Sequence, residues 1–281
     1  MTYNELKNAL IAAGVGSPDE CGFEAKLLAE RFGGIKAAEL PFRRDENMTS
    51  PALADALTRR AGREPLQYIL GEWEFYGLGF KVTPACLIPR ADTEITVSTA
   101  IKMLPVGARF ADLGTGSGAI AVSVLKNRPD VTAVAVDISS SALEVAHFNA
   151  ARHGTDRRTV FLRADMLAGD FFDSLPRPLD AIISNPPYIP KSDLLPGTVQ
   201  PELNFEPRGA LDGGDDGLDF YRSLIPRAAK TGVLTDGGFV LFEVGAGEAR
   251  AVARMGTDAG FSAGILCDLG GIERTVILSR R

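Results

Sequence analysis

The sequence predicts a doubly wound, parallel α/β sheet preceded by a small N-terminal helical domain, and three observations carry that prediction. From about residue 108 onward, apolar strand-like runs alternate with helical stretches, as crossover-connected parallel strands require. A glycine-rich turn, Asp112-Leu113-Gly114-Thr115-Gly116-Ser117-Gly118, follows the first of these strands and opens a helix. Before residue 70 the chain carries helix signals and little else.

In the first 70 residues, Thr2 with Glu5 and Ser17 with Glu20 fit the capping-box spacing, and Ser17-Pro18 and Ser50-Pro51 place proline directly after a capping serine. Leu6, Leu10 and Ile11, then Phe23, Leu27, Leu28 and Phe32, recur at helical spacing, so three or four helices are expected. No set of reactive side chains stands out there, which suggests recognition or support. Residues 71–90 interleave Gly71, Gly77 and Gly79 with Trp73, Phe75, Tyr76 and Phe80, the pattern of a short hairpin linking the two parts. The domain expected over 91–281 begins with a helix bearing Ile95, Val97, Ala100, Ile101 and Leu104. Strands are expected at 109–113, 131–136, 160–163, 179–184, 238–243, 261–267 and 274–279, with helices at 118–128, 139–153, 217–230 and 246–259.

Composition narrows the chemistry. At 45% apolar and 23% charged residues, the chain is an ordinary globular one. It has no apolar run of membrane-spanning length, and Met1-Thr2-Tyr3-Asn4-Glu5-Leu6-Lys7 lacks the order of a signal peptide, so a cytoplasmic location is expected. Cys21, Cys86 and Cys267 are widely spaced and read as free thiols, mostly buried. With two histidines, His147 and His153, no catalytic metal is expected. A net charge of -6 counts against a polyanionic substrate, and Arg43-Arg44, Arg59-Arg60, Arg63 and Arg157-Arg158 read as solvated surface arginines.

The glycine turn alone is ambiguous, because Gly114, Gly116 and Ala119 also satisfy a loose dinucleotide fingerprint. Asp137 ends the second strand, where a carboxylate accepts hydrogen bonds from ribose hydroxyls, and Asp165 follows the third, as an adenine contact or a turn cap. The fourth strand separates the readings. It runs directly into Asn185-Pro186-Pro187-Tyr188. Proline lacks an N–H and fixes φ, so the carbonyls of Asn185 and Pro186 stand free of competing donors and suit an amino group with two protons. A hydride-transfer enzyme has no use for such a pair of acceptors.

At these residues the chain resembles class I S-adenosylmethionine-dependent methyltransferases, and over its whole length it is similar to the release-factor glutamine methyltransferase family. Arg63-Glu64-Pro65-Leu66-Gln67-Tyr68-Ile69-Leu70-Gly71, Ile88-Pro89-Arg90-Ala91-Asp92-Thr93-Glu94, the glycine turn, Asn185-Pro186-Pro187-Tyr188 and Phe205-Glu206-Pro207 carry the closer match. The resemblance implies a seven-stranded, mostly parallel, Rossmann-like sheet with one antiparallel strand at its edge. It implies that S-adenosylmethionine contacts Gly114, Thr115, Gly116, Ser117, Gly118, Asp137, Met166 and Asn185, with Met166 standing where family members can carry tryptophan. It further implies that Asn185, Pro186, Pro187 and Tyr188 hold a glutamine of a peptide chain release factor, Asn185, Pro186 and Tyr188 being the catalytic set. The alternative that shares the four-residue motif is an amino methyltransferase of DNA or RNA bases, and a third is a cofactor-binding partner without catalysis. Arg90 and Glu94 are read either as an ion pair on one helix face or as walls of the cofactor entrance, and Glu206 as a structural hydrogen-bond partner or a wall. Asp212-Gly213-Gly214-Asp215-Asp216-Gly217 lacks the ligand pattern of a calcium loop and is expected to be a flexible turn before a helix.

Overall fold

In a computed structural model that describes residues 1–195 and 197–280, the chain forms two compact units. The first comprises 1–72 together with 200–205. Its helices are α1 (Tyr3–Ala12), α2 (Pro18–Phe32), α3 (Leu40–Arg43), α4 (Pro51–Ala61) and α5 (Leu66–Leu70). Both expected capping boxes form, and Ser50 caps α4 through the Leu53 N–H. Leu6, Leu10, Leu28, Ile35 and Leu53 pack into one core. Arg60 departs from the surface reading: it is 5% exposed, and its guanidinium binds the carboxylates of Glu24 and Glu202. Glu202 also takes a hydrogen bond from Arg63 (3.0 Å), so two carboxylates offset the desolvation of one buried cation.

The second unit opens at Trp73, within the hairpin of β1 (Glu72–Phe75) and β2 (Leu78–Lys81), turned by Tyr76 and Gly77, both at positive φ. The elements α6 (Thr93–Met103), β3 (Arg109–Leu113), α7 (Ala119–Asn127), β4 (Thr132–Asp137), α8 (Ser140–His153) and β5 (Thr159–Arg163) follow. The chain continues with α9 (Phe171–Ser174), β6 (Leu179–Ser184), α10 (Asp219–Lys230), β7 (Leu234–Glu243), α11 (Ala249–Asp258), β8 (Ser262–Cys267) and β9 (Glu273–Ser279).

The sheet order is β5-β4-β3-β6-β7-β9-β8, and every pairing from β5 to β7 is parallel. β9 runs antiparallel to both neighbours, so the antiparallel strand lies one place in from the edge and β8 forms the edge itself. Burial explains the exchange: Thr275, Val276 and Leu278 of β9 are buried, whereas β8 is largely exposed. β3 and β6 sit at the centre, where the order reverses, and the chain leaves both carboxyl ends toward one crevice. Arg158 also differs from a solvated arginine, since its guanidinium caps α7 by donating to the carbonyls of Leu125, Arg128 and Val131.

Candidate active site

The chain passes from β3 into α7 through Gly114, Gly116 and Gly118, at φ of +71°, +54° and +80°. These are left-handed conformations that cost a side chain energy. At Gly118 a Cβ would also lie 3.2 Å from the Ala146 Cα on α8, so the turn and the helix packing demand the same residue. Two amides anchor the turn to the end of β4: Thr115 N–H donates to Val136 O (2.8 Å), and Gly116 N–H to Asp137 Oδ2 (2.9 Å). Beneath it, the fully buried Asp112 accepts from the Thr115 hydroxyl (2.7 Å) and the Ala121 N–H (3.1 Å). Burial pushes the Asp112 carboxyl up to about 7 despite those bonds.

A cavity of about 350 Å³ opens at this crevice, lined among others by Gly114, Gly116, Asp137, Met166, Asn185 and Pro187. The three remaining turn residues also support the fold. Thr115 supports Asp112, the Ser117 carbonyl accepts from Asn149 (2.8 Å), and Gly118 packs on Ala146. Asp137 uses one lone pair of each oxygen, on Gly116 N–H and Ser139 N–H, and keeps the others for a ligand. Asp165 both lines the cavity and caps a turn, taking the Leu167 N–H at 2.8 Å. Cys86 also lines the cavity, beside Gly116, as a thiol that burial raises to about 11; its separation from the other motifs hid it in the sequence.

Asn185 lines the cavity, directly beyond β6. Its side-chain Nδ2 donates to the Thr93 hydroxyl oxygen at 3.2 Å, which leaves Oδ1 directed away from that partner. Thr93 opens α6, and its hydroxyl also interacts with the buried Glu243 carboxyl at the end of β7. Pro186 and Pro187 are buried, and Tyr188 is half-buried against the core, its phenol raised to about 12 mainly by desolvation. Apart from the motif itself, Thr93 and Glu243 escaped the sequence reading, although a lone acid ending the apolar run Phe239-Val240-Leu241-Phe242 was a usable signal.

Two walls correct the expectations. The helix begins at Thr93, after Arg90, so Arg90 and Glu94 share no face. Arg90 pairs with Glu206, while Glu94 Oε1 accepts the Tyr76 N–H (2.9 Å). Glu206 also accepts the Ile88 N–H (3.1 Å), tying the 85–87 wall to the 207–210 wall. The loop 212–217 is no free turn: Gly213 N–H donates to Ile189 O (2.9 Å), and Ile189 N–H to Leu211 O (2.9 Å). A Cβ on Gly213 would lie 2.6 Å from Tyr188 Cα. This loop is therefore the backing against which the Asn185-to-Tyr188 segment rests.

Comparison with known proteins agrees with this geometry. Residues 2–71 match the PrmC N-terminal domain and 93–200 the Methyltransferase small domain. A release factor glutamine methyltransferase of Moorella thermoacetica is 40% identical over 285 residues, covering 99% of this chain and 96% of that protein. The chain belongs to the release factor glutamine methyltransferase family. Its counterpart in Geobacter sulfurreducens is 46% identical over 223 residues, covering 78% of this chain and 75% of the relative. A methyltransferase from Pyrococcus furiosus, 20% identical, superposes with a TM-score of 0.54 over 73% of this chain and 90% of its own, which supports the fold. In this family member the class I methyltransferase sheet thus carries the Asn185 motif at its central crevice. Among the described residues, no helix is long and apolar enough to cross a membrane.

Proposed function

We propose that the protein transfers a methyl group from S-adenosylmethionine to the side-chain amide nitrogen of a glutamine in a peptide chain release factor. The observation that carries this reading is the Asn185 amide, held by Thr93 in the cavity lining with Oδ1 left as an acceptor. The family's name and the relatives' names supply the substrate class.

The cavity suits the donor. Gly114 and Gly116 keep side chains out of its floor, and a Cβ at Gly114 would press on Met166 Cε at 3.2 Å. Asp137 offers free carboxylate lone pairs for vicinal hydroxyls, and Met166 a thioether face for a flat ring. S-adenosylmethionine bound there supplies an electrophilic methyl group on a sulfonium.

An amide nitrogen is a weak nucleophile because its lone pair is delocalised into the carbonyl. Asn185 Oδ1 and the Pro186 carbonyl accept hydrogen bonds from its two N–H groups, fix its orientation and favour pyramidal character; on transfer the donor would leave as a neutral thioether and the methylated nitrogen would shed one proton. Orientation of this kind contributes up to about 7–11 kcal/mol. Tyr188 flanks the flat amide, and the buried prolines exclude water from the reacting nitrogen. The helical unit, which gathers no reactive cluster, is assigned to recognition of the protein substrate.

The test is incubation with methyl-labelled S-adenosylmethionine and, separately, purified release factor, its Gln→Ala loop variant, and total RNA or DNA. Label on the release factor alone is expected. Label on nucleic acid, or equal label on the variant, would overturn the reading in favour of a base methyltransferase or a different residue.

A further inference from the structure

Glu243 follows Phe242, whose register partner on β6 is Ser184, so the Glu243 carboxyl stands level with Asn185 on the adjacent parallel strand. It is 1% exposed, and its Oε2 has no hydrogen-bond partner. A carboxyl buried in this way costs several kcal/mol of desolvation, so its place in the core needs a reason. Between Glu243 and Asn185 lies the Thr93 hydroxyl, itself 4% exposed.

A threonine hydroxyl has one proton and two lone pairs. A Thr93 proton given to the neighbouring Glu243 carboxylate would leave the Thr93 oxygen able only to accept, so that it meets the NH2 end of Asn185, which is the bond seen at 3.2 Å. Freed of the carboxylate, the hydroxyl could turn and donate to Asn185 Oδ1, and the amide would gain nothing by keeping its present orientation. A reversed Asn185 would point NH2 at the NH2 of the substrate, donor against donor. We propose that Glu243 is a positioning residue that fixes the polarity of the Asn185 amide through Thr93, so that an acceptor always faces the substrate nitrogen. This inference rests on the functional reading above and adds to it the device that orients its central group.

Burial raises the Glu243 carboxyl to about 7, with the Thr93 contact pulling it back. Asp92 also raises it, Arg274 and Arg90 lower it, and the phenols of Tyr188 and Tyr221 face it; the Tyr221 hydroxyl binds the Glu243 backbone carbonyl at 2.8 Å. Protonation of Glu243 would weaken the acceptor that holds the Thr93 proton, so the relay works best on the alkaline side of that value.

The experiment compares wild type, E243Q, T93V, T93S and the E243Q/T93V double variant, each checked for folding by circular dichroism. It measures kcat and KM for the release factor and the donor dissociation constant by calorimetry. E243Q and T93V are each expected to lower kcat about ten- to a hundredfold, the scale of a misoriented reacting group, with KM and donor affinity little changed. T93S restores most of what T93V loses. The double variant falls no further than T93V, because both changes break one path. The wild-type kcat shows an acid limb near pH 7 that E243Q lacks. Multiplying losses, a loss confined to KM or donor affinity, or an unaltered kcat in T93V overturns the inference, and the threonine series decides it even if E243Q does not fold. A wild-type protein that leaves the release factor unlabelled overturns the functional reading and this inference together; labelling with an indifferent E243Q and T93V overturns this inference alone.

Discussion

The Gly213→Ala substitution tests whether the 212–217 loop sets the position of the Asn185-to-Tyr188 segment. Gly213 is buried and has no left-handed φ, so the change acts through packing rather than backbone conformation. The new Cβ would sit 2.6 Å from Tyr188 Cα, and 2.8 Å from both Tyr188 C and Gly217 O. All three are backbone atoms, and carbon contacts relax to about 3.5–4.0 Å, so about 1 Å of movement must be found between the loop and Tyr188. Overpacking of this kind costs about 1–3 kcal/mol of stability. A displacement of about 1 Å at a reacting group costs roughly a hundredfold in rate. Steady-state methylation of the release factor should therefore show kcat falling about a hundredfold, while the dissociation constant for S-adenosylmethionine stays near wild type. Gly169→Ala, where a Cβ meets nothing within 4 Å, is the control and should retain activity. A Gly213→Ala protein that loses stability but keeps its kcat would refute the reasoning, since the loop would then yield without moving Tyr188.

Three further outcomes follow from the same geometry. Asn185→Ala should lower kcat by roughly 10²–10³, the usual scale for one catalytic hydrogen-bonding group, with calorimetric donor affinity largely retained; an equal loss of donor binding would contradict its assigned role. Asp137→Asn should weaken donor binding by about tenfold, the worth of one charged hydrogen bond, and leave kcat at saturating donor close to wild type. Asp112 and Glu243 are raised from 3.8 and 4.5 to about 7 by burial, so each takes up a proton on folding between those values. Their stabilising contribution is complete below about pH 4 and fades as pH rises through about 7, and urea titrations at pH 5 to 8 should show a decline that Asp112→Asn and Glu243→Gln each flatten.

The parallel core of the sheet was legible because its strands are continuous apolar runs. Phe110, Ala111, Val134, Ala135, Ile182 and Ile183 are buried on both faces and leave no helical period to compete. β7 begins at Leu234, before the expected 238, because Thr235-Asp236-Gly237-Gly238 reads as a turn. Those residues lie in an irregularity, where register on β6 jumps between Leu179 and Ala181. The place of the antiparallel strand was not legible, because strand order depends on which strand buries more surface once all are assembled. The site divides in the same way. Asn185, Asp137 and the glycines declare themselves by local chain geometry, whereas Thr93 and Glu243 are brought to Asn185 by an α6 contact and a strand register that no short window contains. Arg60 and Arg158 misled for a related reason, since their partners Glu24, Glu202 and the α7 carbonyls are assembled only in the fold.

The central claim is that the group presented to Asn185 is the amide nitrogen of a protein glutamine. Tandem mass spectrometry of a release factor treated with the protein and S-adenosylmethionine, after proteolysis, locates the added methyl group directly. The account predicts a single methyl on the side-chain nitrogen of one glutamine, strongly reduced over the same reaction time when Asn185→Ala replaces the wild-type protein. A methyl on a carboxylate oxygen or a lysine, or full methylation by the Asn185→Ala variant, would contradict it.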